Sequence, residues 1–214
     1  LFRGALPTAP ERAWVQDALG DAREAAFERM DELGDALALP DAMDALRASV
    51  AHLTAVPGDE PLTEAARIVG AIAVFATAWG RGTSRVPPNA RLPHAADYLR
   101  MTSTRAPSPA EVAALDAYLV TVIDHGMNAS TFAARVVAST ASDTVSAVVA
   151  GIGALKGKLH GGAPGPVLDM LDAIGEPEAA RAWLSETLCR RERIMGMGHR
   201  IYRVRDPRAF VLER

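Results

Sequence analysis

Thr63-Glu-Ala-Ala-Arg-Ile-Val-Gly-Ala-Ile-Ala-Val-Phe-Ala-Thr-Ala-Trp-Gly80 decides how the rest of the chain is read. Ile68, Ile72, Phe75 and Trp79 recur at helical spacing and mark one face. Alanine and valine cover the remaining faces, so the segment reads as a helix buried all round and ended by Gly80. Its longest nearly uncharged run, Ile68 to Gly80, falls short of the roughly 20 apolar residues that cross a bilayer. It therefore reads as the core of a helical protein, and no membrane is expected as a partner.

The flanking sequence repeats the helical theme. Thr8-Ala-Pro-Glu11 and Ser108-Pro-Ala-Glu111 are capping boxes, in which a hydroxyl and a carboxylate satisfy the free N–H groups of a first helical turn. The first opens a helix to about Leu19, followed by a polar one to about Leu33. Pro40 opens the next, with Met43, Leu46, Val50 and Leu53 on one face. Pro57-Gly58-Asp59 is a turn. Residues 81–108 form a proline-rich connection with one short helix near Ala95–Leu99. Helices are expected at about 109–124, 129–139, 143–155, 166–174 and 177–194, and a last one starts near Pro207. No strand pattern of any length occurs, so the predicted class is all-α.

Composition agrees. Hydrophobic residues make up 49% of the 214 and aromatics only 5%, while 42 residues are alanine. Alanine has the best helix propensity, and its short side chain lets helix axes approach. So much apolar surface excludes disorder as the main state. A net charge of −3 gives no basic surplus for nucleic acid. A single cysteine, Cys189, excludes an intrachain disulfide and a cysteine-rich metal site.

Chemistry concentrates on three of the five histidines. His52 and His94 have no polar company in sequence. His125, His160 and His199 each sit at a helix end beside glycine: Asp124-His125-Gly126, Leu159-His160-Gly161-Gly162 and Gly196-Met-Gly198-His199. Glycine permits positive φ and close approach of a ligand to the backbone. One polar pocket built from helix ends is one reading; three ordinary helix C-caps with chance histidines is the other. No His pair at ligand spacing, no phosphate loop and no nucleophile elbow occurs, which weighs against a metal site, nucleotide hydrolysis and serine hydrolysis.

Asp124-His-Gly-Met-Asn-Ala-Ser-Thr131, Lys158-Leu-His-Gly-Gly-Ala163 and Met195-Gly-Met-Gly-His-Arg-Ile-Tyr-Arg-Val-Arg-Asp-Pro-Arg208 together resemble the citrate synthases. They stand in family order, with 35 and 39 residues between successive histidines. The Gly-Met-Asn wording looks like the shorter bacterial citrate synthase 2 branch. The resemblance covers most of the chain and is strongest after Ala110.

The resemblance implies an all-α fold with a large dimerising domain, here residues 1–160, and a smaller closing domain that begins at residues 161–214. It implies an acyltransferase of the tricarboxylic acid cycle, joining acetyl-CoA to oxaloacetate and hydrolysing the thioester to citrate and CoA. Acetyl-CoA is then a co-substrate, with no permanent cofactor and no metal. His160 would donate a hydrogen bond to the thioester oxygen as the enolate forms, and His199 would polarise the oxaloacetate carbonyl. His125 and Arg208 would hold oxaloacetate, Arg208 by a two-pronged contact; by itself Arg208 reads rather as a surface partner of Asp206 or Glu213. Gly196, Met197 and Gly198 would receive the adenine end of CoA. Asn128 and Ser130 read as helix caps, with Asn128 also able to orient His125. Lys156, Lys158 and the run Arg190 to Arg193 read as solvated faces. Helices 112–124 and 143–155 could supply a homodimer seam, and the cytoplasm is the expected compartment.

The chain also departs from the family. Gly126-Met127 stands where Glu-Leu is common, and Lys158 where proline is frequent. The family's catalytic aspartate belongs to a later motif beyond Arg214, so this stretch by itself is not expected to turn over. 2-Methylcitrate synthesis from propionyl-CoA, and a non-catalytic member of the family, are the competing functions.

Overall fold

The structure, a computed structural model, describes residues 4–103, 105–162, 164–197 and 203–213. These hold ten α-helices and short 3-10 turns, and no strand occurs among the described residues. The chain divides into two compact units, Leu1–Ile152 and Gly153–Arg214.

The first unit is built around α3 (Pro61–Arg81), which packs most extensively against α1 (Ala9–Glu28) and also meets α2 (Ala42–Ala51) and α4 (His94–Thr102). Ile68, Ala71, Val74, Phe75 and Ala78 of α3 are buried with Met30, Leu33, Val50 and Met101 in one core. The helix ends two residues later than its sequence suggests. Gly82, not Gly80, takes the positive φ of the C-cap at 56°. Nor is it buried all round, because Val69 faces solvent. At 21 residues α3 is long and apolar enough to cross a membrane by length and composition, yet half of its most apolar stretch is buried in this unit. Trp79 ties it to the chain before α2 by donating from Nε1 to the carbonyl of Leu39 at 2.8 Å.

Both capping boxes form, at Thr8 with Glu11 and at Ser108 with Glu111. The break expected near Leu19 does not. α1 continues through Gly20 to Glu28, taking in most of the second expected helix, and a 3-10 turn, Met30–Leu33, replaces only its end. Gly20 is there for packing: a Cβ at that position would lie 2.3 Å from the carbonyl oxygen of Ala90.

That contact brings the proline-rich connection over α1, where a buried polar cluster holds it. Arg23 and Asp97 are both 0% exposed and pair at 2.7 Å. Arg23 also donates to the carbonyl of Leu92 at 3.0 Å and lies 3.1 Å from Nδ1 of His94. Asp97 accepts from the backbone N–H of Asn89 at 3.0 Å and from Arg100 at 2.8 Å. His94 therefore has polar company after all. Its partner lies 71 residues away, so the sequence around it gave no sign.

Burial, and then the Arg23 charge, push the pKa of His94 down from 6.5 to about 4, against a smaller opposing pull from Asp97. The folded chain thus binds this proton less readily than the unfolded chain. Stability is unaffected above about pH 6.5 and falls as pH drops from there towards about 4. At about 1.4 kcal/mol per pKa unit, the accumulated loss is ~3 kcal/mol. Urea unfolding at pH 7 and pH 4.5 should show His94→Gln with a flatter pH dependence than the parent. Parallel curves would contradict this account of His94.

α5 (Pro109–Val122), α6 (Ala129–Ala138) and α7 (Thr144–Leu155) complete the first unit, α7 running through the junction. α7 places Val145, Ala147 and Ile152 in buried positions, whereas α5 and α6 bury no residue.

The second unit comprises α8 (Pro164–Ile174), α9 (Ala180–Cys189) and α10 (Pro207–Leu212). The helix expected over 177–194 is shorter, with a 3-10 turn at Pro177–Ala179 and an end at Cys189. Thr187 is buried and donates to the carbonyl of Trp183 at 2.8 Å. Leu168, Leu171, Leu188 and Phe210 are exposed.

Candidate functional site

His125 lies in the first unit, in the bend between α5 and α6. Five local hydrogen bonds shape that bend. Oδ1 of Asp124 accepts the N–H of Gly126 at 3.0 Å, and Gly126 takes φ 65°, where a side chain would be strained. The hydroxyl of Thr131 donates to the carbonyl of Gly126 at 3.2 Å. Asn128, extended at φ −140°, is the N-cap of α6. Its Oδ1 accepts from the N–H of Thr131 at 2.9 Å and from the hydroxyl of Ser130 at 2.7 Å. Its Nδ2 lies 3.1 Å from Nδ1 of His125. Asn128 thus caps the helix and contacts the imidazole at once, the two roles the sequence offered for it. His125 is exposed, and its Nδ1 edge meets Asn128.

His160 lies in the second unit, in a tight reversal directly after α7. The backbone N–H groups of His160 and Gly161 both donate to the carbonyl of Gly157, at 2.8 and 3.2 Å. Packing constrains the glycines beside it. Gly161 and Gly162 are not in the positive-φ region, contrary to the conformational freedom their sequence suggested. A Cβ on Gly161 would lie 2.2 Å from the carbonyl oxygen of Leu155, so glycine is required for the chain to fold back on its own helix end. His160 itself is half-buried.

Of the third motif, Gly198 and His199 lie outside the described residues. Gly196 does take a positive φ, 78°, and Met197 is exposed beside it. Arg208 stands in the first turn of α10, whose N-cap is Asp206. Its guanidinium embraces that carboxylate: Nε is 3.0 Å from Oδ1 and a terminal nitrogen is 2.6 Å from Oδ2. Of the two surface partners considered, Asp206 takes Arg208, while Glu213 pairs with Arg205. Any carboxylate ligand of Arg208 must share or displace Asp206. Arg190 forms ion pairs with Glu186 and Glu192, in keeping with a solvated face. Among the described residues no cluster of three or more histidine, cysteine or acidic side chains could hold a metal.

A family model described as the C-terminal domain of citrate synthase matches residues 1–214. The chain belongs to the citrate synthase family. Among curated citrate synthase relatives, a 2-methylcitrate synthase of Mycobacterium tuberculosis is 41% identical over 227 residues, covering 100% of this chain and 56% of that protein. A citrate synthase of Mycolicibacterium smegmatis is also 41% identical, over 97% of this chain and 58% of that protein. The chain thus spans a little over half the length of these relatives. A citrate synthase from Thermoplasma acidophilum, solved as a ternary complex with carboxymethyl coenzyme A and oxaloacetate, superposes with a TM-score of 0.79 at 27% identity, over 98% of this chain and 58% of that one. The all-helical architecture expected for a citrate synthase is therefore the one observed.

Proposed function

We propose that, at full native length, this citrate synthase family member condenses acetyl-CoA with oxaloacetate and releases citrate and CoA. The observation that carries this reading is the family match across the whole chain, with His125 and His160 both standing at helix-end loops.

The chemistry asks for four things. A methyl proton must leave acetyl-CoA, and the family's base for that step belongs to a later motif. The enolate oxygen so formed needs a hydrogen-bond donor, the role of His160; such a donor acts on charge that develops only in the transition state. The enolate carbon then attacks the oxaloacetate carbonyl, whose oxygen gains the charge, and His199 polarises that bond. Water finally cleaves the thioester, releasing CoA as thiol. His125 and Arg208 hold the keto-diacid, and the Gly196–Gly198 backbone receives the adenine end of CoA. The relative solved with carboxymethyl coenzyme A and oxaloacetate supports these ligands.

A second copy of the chain is the partner proposed for α5 and α6. Val120, Ile123 and Phe132 are 65%, 67% and 63% exposed. α7, the other helix considered for the seam, places Val145, Ala147 and Ile152 in buried positions and leaves Leu155 exposed.

2-Methylcitrate synthesis is the second reading, favoured by equal identity to a 2-methylcitrate synthase. Thiol release from acetyl-CoA and propionyl-CoA, each with oxaloacetate, separates the two at full native length. Preference for acetyl-CoA is expected; a strong propionyl preference overturns the citrate reading, and oxaloacetate-independent or absent release overturns both.

Arg208→Lys should raise the KM for oxaloacetate roughly tenfold, the worth of one lost charge-assisted hydrogen bond. An unaltered KM would remove Arg208 from the substrate site.

A further inference from the structure

The geometry points to Asn128 as a positioning residue that fixes the proton of His125 on Nε2, so that this ring meets its ligand as a hydrogen-bond donor. The inference rests on the proposed function only for what the ligand is: an acceptor oxygen of a keto acid.

An amide side chain has one accepting and one donating end, and the two are told apart by their partners. The backbone N–H of Thr131 can only donate, and it lies 2.9 Å from one end of the Asn128 amide. That end must be the oxygen. The Ser130 hydroxyl reaches the same atom at 2.7 Å. The opposite end is then the NH2, which has no lone pair to offer, and it faces Nδ1 of His125 at 3.1 Å. A contact between an NH2 group and a ring nitrogen is a hydrogen bond only if that nitrogen is the acceptor. Nδ1 must therefore carry the lone pair, and the proton of the neutral ring sits on Nε2.

A helix cap sets this chemical state. The orientation of the amide is dictated by the first turn of α6, three residues away, and passes through one side chain to the imidazole. An Nε2–H group suits an acceptor such as a ketone or carboxylate oxygen, and it cannot accept a proton at that nitrogen.

Two substitutions separate this role from capping, since aspartate and serine cap as well as asparagine. Asn128→Asp offers only acceptors, so Nδ1 must take the proton. Asn128→Ser keeps the cap and removes the NH2. Long-range proton–nitrogen correlation spectra of the chain labelled with 15N-histidine, at about pH 8 where imidazole is ordinarily neutral, read the tautomer directly, with His125→Gln assigning the signal. A single Nε2–H form is expected in the parent, the Nδ1–H form in Asn128→Asp, and an average of both in Asn128→Ser. An Nδ1–H or averaged ring in the parent, or an Nε2–H ring retained in Asn128→Asp, overturns the inference. At full native length, Asn128→Asp should then raise the KM for oxaloacetate about tenfold while kcat falls less than threefold. A reversed tautomer with an unmoved KM would uphold the tautomer lock and sink the assignment of His125 to the keto acid.

Discussion

Asp97→Ala is expected to destabilise the chain by about 3–5 kcal/mol, the usual consequence of removing one member of a buried ion pair. The carboxylate is fully buried and accepts from Nε of Arg23 and the Asn89 backbone through one oxygen, and from Arg100 through the other. Arg100 is partly exposed and can turn to water. Arg23 cannot: its side chain is wholly enclosed, and its other partners are the carbonyls of Asn89 and Leu92 and the ring of His94. Without Asp97 a guanidinium remains buried with no counter-charge. The loss should appear in urea unfolding as a lowered midpoint at constant slope. Arg23→Met combined with Asp97→Leu should recover much of it, because an apolar pair of similar volume removes the stranded charge. A loss below 1 kcal/mol for Asp97→Ala would mean that water reaches Arg23 and that the cluster does not anchor the connection.

His160→Ala, at full native length, should lower kcat by roughly 10²–10³-fold with little change in the KM for oxaloacetate. The proposed hydrogen bond from His160 reaches a thioester oxygen that is weakly basic in the ground state and charged in the enolate. Its loss therefore falls on the barrier and not on binding. The substitution leaves intact the backbone hydrogen bonds of His160 and Gly161 and the glycine at 161 that shape the reversal after α7. A fall of less than tenfold would remove His160 from the enolate-stabilising role.

What the sequence shows in advance, and what it hides, follows from how far apart the interacting residues lie. The capping boxes at Thr8 and Ser108 are legible because donor and acceptor are three residues apart. The Asn128 contact with His125 is legible for the same reason. The helix end expected near Leu19 misleads: the helix runs on, and Gly20 answers to a carbonyl 70 residues away that leaves no room for a side chain. Arg23 and Asp97 are 74 residues apart, and neither carries a local mark of burial. The glycines after His160 read either as part of a ligand pocket or as ordinary helix C-caps, whereas Gly161 answers to Leu155 of its own turn. The three motifs are legible as a family signature because their order and wording survive without any knowledge of packing. The partner of Arg208 is not, since Asp206 and Glu213 are both within its reach in sequence and only the geometry of α10 chooses Asp206.

The account turns on whether His125, His199 and Arg208 share one keto acid. A crystal structure of the protein at full native length with oxaloacetate bound tests this most directly. It should show Nε2 of His125, a ring nitrogen of His199 and the guanidinium of Arg208 each within about 3 Å of an oxaloacetate oxygen. Oxaloacetate bound elsewhere, with these three side chains turned to water or to other residues, would contradict it.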